Sequence, residues 1–355
     1  MKVLHAAYMS RFEPGILKQM EDEQQAAKNL NINWTSRLFC PAPDLESPAL
    51  VPVPHQASRR EKRKHYFHWL TTEMVNHDIL LLRHIPYDPG ELTFIKQLGK
   101  PVLTVHHTLE GPELRSRGGL IAHLKSWTDG IFIKKIIHQS AGIVAVTPEI
   151  ATYECARTDC MDKPVLIYPN GVLLKDSHLE NQRATTPELL FVASNFVPWQ
   201  GLDCLYESVS ASSAQCTVHV VGKIPPALQQ KISSEPGFKC HGRLTTGQIE
   251  KLSTQCSAGL SSLALYRKGM KEACPLKVRE YLALGLPVYG SYKESFSPDF
   301  PYYRQGDPTI ESILNFVNEM AGINRQQIRE EAIPHIDKTE LLKNLHNSLL
   351  EHFST

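Results

Sequence analysis

Short apolar runs alternate with longer amphipathic ones along this chain, and the series occurs twice. The runs "KVLHAAY", "DILLLRH", "KPVLTVHH", "AGIVAVT" and "PVLIYPNG" read as strands, with a helical pattern over residues 16–29 after the first. Near-continuous apolar strands alternating with helices are the pattern of a parallel sheet covered on its faces. A polar stretch, "KDSHLENQRATTP", interrupts the pattern and reads as an interdomain linker. The second series follows: "ELLFVAS", a helix from about residue 202, "CTVHVVG", a helix near 227–234, "FKCHG", a helix from about 246, "AGLSSLA" and "LPVYGS". The tail from Ile310 is helical in pattern, with Pro334 interrupting it. The expected architecture is α/β: two Rossmann-like doubly wound domains, 1–172 and 185–335, facing across a cleft. The C-terminal helix, about 336–355, is expected to pack back on the first.

Length supports two domains, since 355 residues exceed one ordinary core. With 38 Lys+Arg against 37 Asp+Glu, net charge argues against nucleic acid as a partner, so any electrostatic function is local. The eight cysteines show neither a C-x-x-C pair nor a metal-ligand spacing, which points to reduced thiols and a cytoplasmic protein without zinc. The first residues carry too short an apolar run for a signal peptide, and no run approaches a membrane span. One basic run stands out, "SRREKRKHYFHWL". Arg59, Arg60, Lys62, Arg63 and Lys64 precede Tyr66, Phe67, Trp69 and Leu70, so a helix over 59–70 is a candidate for peripheral contact with an anionic membrane at the inner face of the cytoplasmic membrane. The competing reading is a solvated helix start with a core-facing aromatic stripe.

Open parallel sheets bind ligands beyond the carboxyl ends of their strands. The residues there are Gly15, His106, His107, Thr147, Asn195, Gly222, Gly242 and Arg243. The most informative stretch is "KEACPLKVREYLALGLPVYGS", residues 271–291. Pro275 suits the first turn of a helix and Gly285 its C′ position, giving a helix over about 275–284. Its start offers the N–H groups of Leu276 and Lys277 and the positive end of the dipole, a site for anions or sugar hydroxyls. Glu272 lies just before that start and Glu280 one turn further in. Eight residues apart, they are no i,i+4 surface pair. Acceptor-only carboxylates suit the clamping of adjacent hydroxyls, on a ribose or on a sugar.

The segment "EACPLKVRE" resembles the E-x7-E motif of retaining glycosyltransferases, and its setting resembles family 4 (glycosyl transferases group 1) of the GT-B fold. "TVHH", "YPNGV", "FVASNFVPWQGLD" and "HGRLTTGQIEKL" resemble further segments of that family in the same order. The resemblance implies a retaining, hexosyl-type transferase that moves a sugar from a nucleotide diphosphate donor to a glycan or lipid-linked acceptor, as in bacterial surface polysaccharide synthesis; the alternatives are a sugar-nucleotide 2-epimerase of the same fold and a non-catalytic nucleotide-binding GT-B protein. It implies no resident cofactor, and no D-x-D motif is present to hold a metal. Glu280 would clamp the ribose, Glu272 and His106 would lie by the donor sugar, and Pro275, Leu276, Lys277 and Gly15 by the sugar and diphosphate. Arg243 and Leu244 would hold the base. One departure concerns charge: the family's diphosphate-neutralising arginine and lysine are replaced by Asn195 and Gln200. Arg267 and Lys268 are the expected replacements, with Lys277 third.

Overall fold

The computed structural model describes all residues except 42–44, 54–56, 117, 161, 176–178, 180–185 and 354–355. Most of the expected linker therefore lies outside the described residues. The chain divides into two compact units, Met1–Leu173 with Lys338–Thr355, and Leu174–Asp337.

The first unit runs β1 (Val3–Tyr8), α1 (Pro14–Asn29), β2 (Trp34–Cys40), β3 (Leu50–Pro52), α2 (Arg59–Glu73), β4 (Ile79–Arg83), α3 (Pro89–Leu98), β5 (Val102–His106), α4 (Glu110–Ser116), α5 (Leu120–Gln139), β6 (Gly142–Ala145), α6 (Pro148–Thr158) and β7 (Val165–Ile167). The second runs β8 (Glu188–Asn195), α7 (Leu202–Ala211), β9 (Thr217–Lys223), α8 (Pro226–Ser233), β10 (Phe238–Gly242), α9 (Thr246–Ser253), β11 (Ala258–Leu260), α10 (Leu276–Ala283), β12 (Val288–Gly290), β13 (Tyr303–Gln305), α11 (Ile310–Glu319) and α12 (Arg325–Ile336). The last helix, α13 (Lys338–Phe353), belongs to the first unit, where Leu342, Leu345 and Leu349 join the core of β1, β4 and α1. Pro334 does not end α12, which continues to Ile336.

Both sheets are parallel. The first has order β3-β2-β1-β4-β5-β6-β7 and the second β10-β9-β8-β11-β12-β13. Strand order therefore reverses between β1 and β4, and again between β8 and β11. At such a switch point the loops leaving two neighbouring strands diverge to opposite faces and open a crevice.

The sequence dictates these elements locally. All of β1 is buried, so its six residues are apolar or internally bonded on both faces. Glu23 of α1 is the polar anchor beneath it: its carboxylate accepts from His5 Nδ1, Trp34 Nε1 and Ser36 Oγ, each at 2.7 Å, and from Tyr168 OH at 2.9 Å. Ser58 and Glu61 form a capping box at the start of α2. Tyr66 and Leu70 of that helix are fully buried, Phe67 and Trp69 pack on the same core, and Arg63 turns to Asp88 at 3.1 Å. Of the two readings of this helix, the structure shows the core-facing aromatic stripe, because 66 and 70, four apart, share the helix face against the sheet. None of the eight cysteines forms a disulfide.

Candidate functional site

The second unit's switch point gathers most of the expected donor-site residues. β8 ends at Asn195, exposed and in register with Lys223 at the end of β9. The chain then makes a single helical turn, Pro198–Gln200, and leaves through Gly201 at φ +74°. A Cβ at Gly201 would lie 2.8 Å from Leu263 Cβ and 2.9 Å from Ala264 N, so this close approach requires glycine. Two backbone bonds clip the turn to the loop after β11: Leu263 N to Gln200 O at 2.9 Å and Ala264 N to Trp199 O at 3.3 Å. Gln200 is thereby fixed at the crevice. Its Oε1 accepts from Lys277 Nζ at 2.8 Å and from Ser262 Oγ at 3.2 Å.

Lys277 belongs to α10, which begins at Leu276 with Pro275 as its N-cap, one residue later than expected. No side chain caps this helix, which leaves the amides of its first turn directed outward. Lys277 is half-buried, its Nζ 5.1 Å from the centre of the Phe191 ring. Burial drives its pKa down to about 7, with Glu280 pulling the other way. Glu280 itself is exposed on α10. Glu272 is nearly buried before the helix, and Lys293 Nζ donates to its Oε1 at 2.6 Å. The loop is tied down by Lys293 N to Lys271 O at 2.9 Å and Ala273 N to Lys293 O at 3.2 Å. At the far end, Gly285 has φ +67°, and a Cβ there would collide with the Arg325 backbone. Behind α10, Arg279 is wholly buried and pairs with Glu294 at 2.6 Å, so it serves packing rather than ligand.

The two residues expected to replace the missing charge are otherwise engaged. Arg267 Nη1 donates to both Asp203 oxygens, at 2.9 and 2.8 Å, and to Pro198 O at 2.8 Å. Lys268 Nζ sits 5.5 Å from the Trp199 ring centre. Both lie within the short helical turn Leu265–Lys268 after β11 and contact the Pro198–Gln200 turn. Arg243 is exposed after β10, and Leu244 packs partly on the core ahead of the Thr245 cap of α9. Nothing in the sequence singles out Lys223, which closes the run "TVHVVGK" as an ordinary strand end. Only the register with Asn195 puts it on the same rim.

In the first unit, Gly15 is the second residue of α1, at the switch-point side of β1, and a Cβ there would meet nothing within 4 Å. The fold itself makes no demand for glycine at that position. His106 does not line an open surface. It is fully buried, with Nδ1 3.2 Å from Glu110 Oε1 and Nε2 3.0 Å from Thr104 Oγ1, so both ring nitrogens are occupied. Burial lowers its pKa to about 4. It belongs to a polar network beneath α4, α5 and α6. There His84 is bonded to Glu91 at 3.1 Å and Asp129 at 3.2 Å, and Arg157 forks onto Glu154 at 2.8 Å and Asp129 at 2.8 Å. Burial opposes charge on His84, yet Glu91 and Asp129 raise its pKa well above the ordinary value. Among the described residues, His106, Glu110 and Glu154 are the one group of three whose metal-ligating atoms all lie within 4.8 Å of one another. Arg157 already stands 2.7 Å from Glu154 and 3.5 Å from Glu110, so an ion there would have to displace a guanidinium.

No family model matches this chain, and no curated protein matches it by sequence. Solved structures do match over its whole length. Sucrose-phosphate synthase from Thermosynechococcus elongatus superposes with TM-score 0.72 at 14% identity, covering 100% of both chains. A glycosyltransferase from Rickettsia africae gives 0.71 at 11% identity, covering 100% of this chain and 99% of that one. The Anabaena protein HepE in complex with UDP and glucose gives 0.64 at 11%, covering 99% and 100%. The fold is GT-B. At these identities the likeness is one of fold, and what a GT-B chain does is decided by its site.

Proposed function

We propose that this protein is a retaining glycosyltransferase, moving a hexose-type sugar from a nucleotide diphosphate donor to a hydroxyl of a glycan or lipid-linked glycan in surface polysaccharide synthesis. The observation that carries the reading is the uncapped start of α10, flanked by Glu272 and Glu280, with Lys277 held on Gln200 beside it. A diphosphate suits the outward amides and the ammonium, and a ribose suits Glu280. Arg243 and Leu244 then meet the base, and Glu272 meets hydroxyls of the donor sugar. Retention follows from the resemblance: the acceptor hydroxyl attacks on the face the diphosphate is leaving, without a covalent enzyme intermediate. Leaving-group charge is met by Lys277 and the helix start, with no metal ion required. His106, enclosed in its network, acts by positioning β5 and α4. A fold neighbour of TM-score 0.57 is a putative UDP-N-acetylglucosamine 2-epimerase from Listeria monocytogenes, so an epimerase is the alternative to exclude. Product analysis separates the two: a transferase glycosylates an added acceptor, whereas an epimerase returns an isomerised donor or free nucleotide without one.

Each hydrogen bond to a charged group is worth about 1.5–3 kcal/mol, so Glu280→Ala is expected to weaken nucleotide binding by roughly 10- to 100-fold. Glu272→Ala is expected to leave that affinity nearly unchanged and to lower turnover. Calorimetric titration with a panel of nucleoside diphosphates, beside turnover with the sugar donor, checks both. Unaltered affinity and rate in the two variants would remove the assignment.

A further inference from the structure

α5 turns an apolar face outward. Leu120 is 90% exposed, Ile121 71%, Leu124 60%, Trp127 66% and Ile131 40%. Residues 120, 124, 127 and 131 follow a 4-3-4 spacing, which is one face of an α-helix. The opposite face carries Ala122, Ser126, Asp129, Ile133, Ile136 and Ile137, all buried. The helix is therefore apolar on its outer side as well as its inner one. Beyond Ile131 the outer face changes character, with Lys134, Lys135 and His138 all exposed. Its one acidic residue, Asp129, is buried. Lys134 reaches Asp159 at 2.6 Å, but both side chains are largely exposed, and such a pair is weakly held.

From this arrangement we propose that α5 is a docking face for an anionic lipid bilayer, lying in the plane of the headgroups. Charge complementarity selects that occupant: a strip of Leu, Ile and Trp running into two lysines matches an acyl boundary edged by anionic headgroups. Trp127 has the amphipathic ring that settles at such a boundary. Among the described residues no helix is long and apolar enough to cross a membrane, so α5 lies on the surface. The inference rests on α5 alone and is independent of the proposed activity.

The test is co-sedimentation of the full chain with phosphatidylcholine vesicles, with and without 30% phosphatidylglycerol, alongside tryptophan emission. Wild type should sediment with the anionic vesicles and shift its emission to the blue. Trp127→Glu with Leu124→Glu should lose at least tenfold in binding. Lys134→Gln with Lys135→Gln should lose about fivefold per lysine on anionic vesicles only. Circular dichroism of each variant confirms folding, which these exposed positions should leave intact. Trp127→Phe should keep binding while abolishing most of the blue shift. Failure of wild type to bind anionic vesicles would overturn the proposal, as would equal binding by the glutamate variant. So would a concentration-dependent dimer that the glutamate variant abolishes, which would assign the face to a second copy.

Discussion

Arg157→Met is expected to destabilise the first unit by about 3–5 kcal/mol at neutral pH, the cost of removing one partner from a buried ionic cluster. The guanidinium serves three carboxylates: Glu154 through a two-point fork, Asp129 at 2.8 Å, and Glu110 at 3.5 Å. Further opposite charge comes from His84, which is committed to Glu91 and Asp129, and from the half-buried Arg83 near Glu110. Burial already raises Glu154 to about 7 and raises Glu110 as well, so these acids part with their protons reluctantly even beside the arginine. Without it their folded-state pKa values rise further, while their unfolded values stay put. A carboxyl raised in the folded state costs stability as pH climbs from the unfolded value through the folded one. The penalty of Arg157→Met is therefore smallest near pH 5, where Glu154 holds its proton, and grows toward pH 8. Urea titrations at the two pH values measure it. Adding Glu154→Gln should recover part of the loss, since an amide needs no counter-charge. A penalty below about 1 kcal/mol, or one that does not change with pH, would show that the cluster is solvated rather than buried.

That cluster also marks the limit of what the sequence discloses. Strands such as β1, β4, β5 and β8 are continuous apolar runs, and a covered parallel sheet is the natural home for them. β2 is harder to see because Thr35 and Arg37 interleave its buried positions in "WTSRLFC". α5 escapes because its inner and outer faces are both apolar, which erases the amphipathic period a helix is recognised by. His106 stands at a strand end, where sequence puts it near a ligand. Which side of the sheet it faces depends on the packing of α4 and α6, and those helices bring Glu110 and Glu154 onto it. The Glu272–Glu280 pair is legible because Pro275 announces the helix start between them. The direction of Arg267 is not, since Asp203 and Pro198, which hold it, lie more than sixty residues earlier.

With Arg267 so engaged, the proposed function assigns the working cation to Lys277, and its removal should then be the most damaging single change to catalysis. A diphosphate gains negative charge as the glycosidic bond breaks, and a cation fixed for that state lowers the barrier more than it tightens binding. Lys277→Met should therefore lower turnover by roughly 100-fold, the scale of losing one preorganised charge-stabilising donor. Donor affinity should fall less. A second signature separates this role from simple packing. In the free protein the Lys277 pKa lies at about 7 because the site is partly desolvated, with Glu280 the opposing influence. The diphosphate needs the ammonium, so kcat/KM should be level below pH 7 and fall about tenfold per pH unit above it. Bound diphosphate raises the lysine's pKa, so kcat should hold to higher pH than kcat/KM. Lys277→Arg, charged throughout, should keep activity and lose the descending limb. Glu280→Ala, which removes the carboxylate that supports the ammonium, should move the limb to lower pH. If Lys277→Met turned over normally, or if its pH profile matched wild type, the neutralising charge would have to come from elsewhere on the rim, with Lys223 beside Asn195 the next residue to replace.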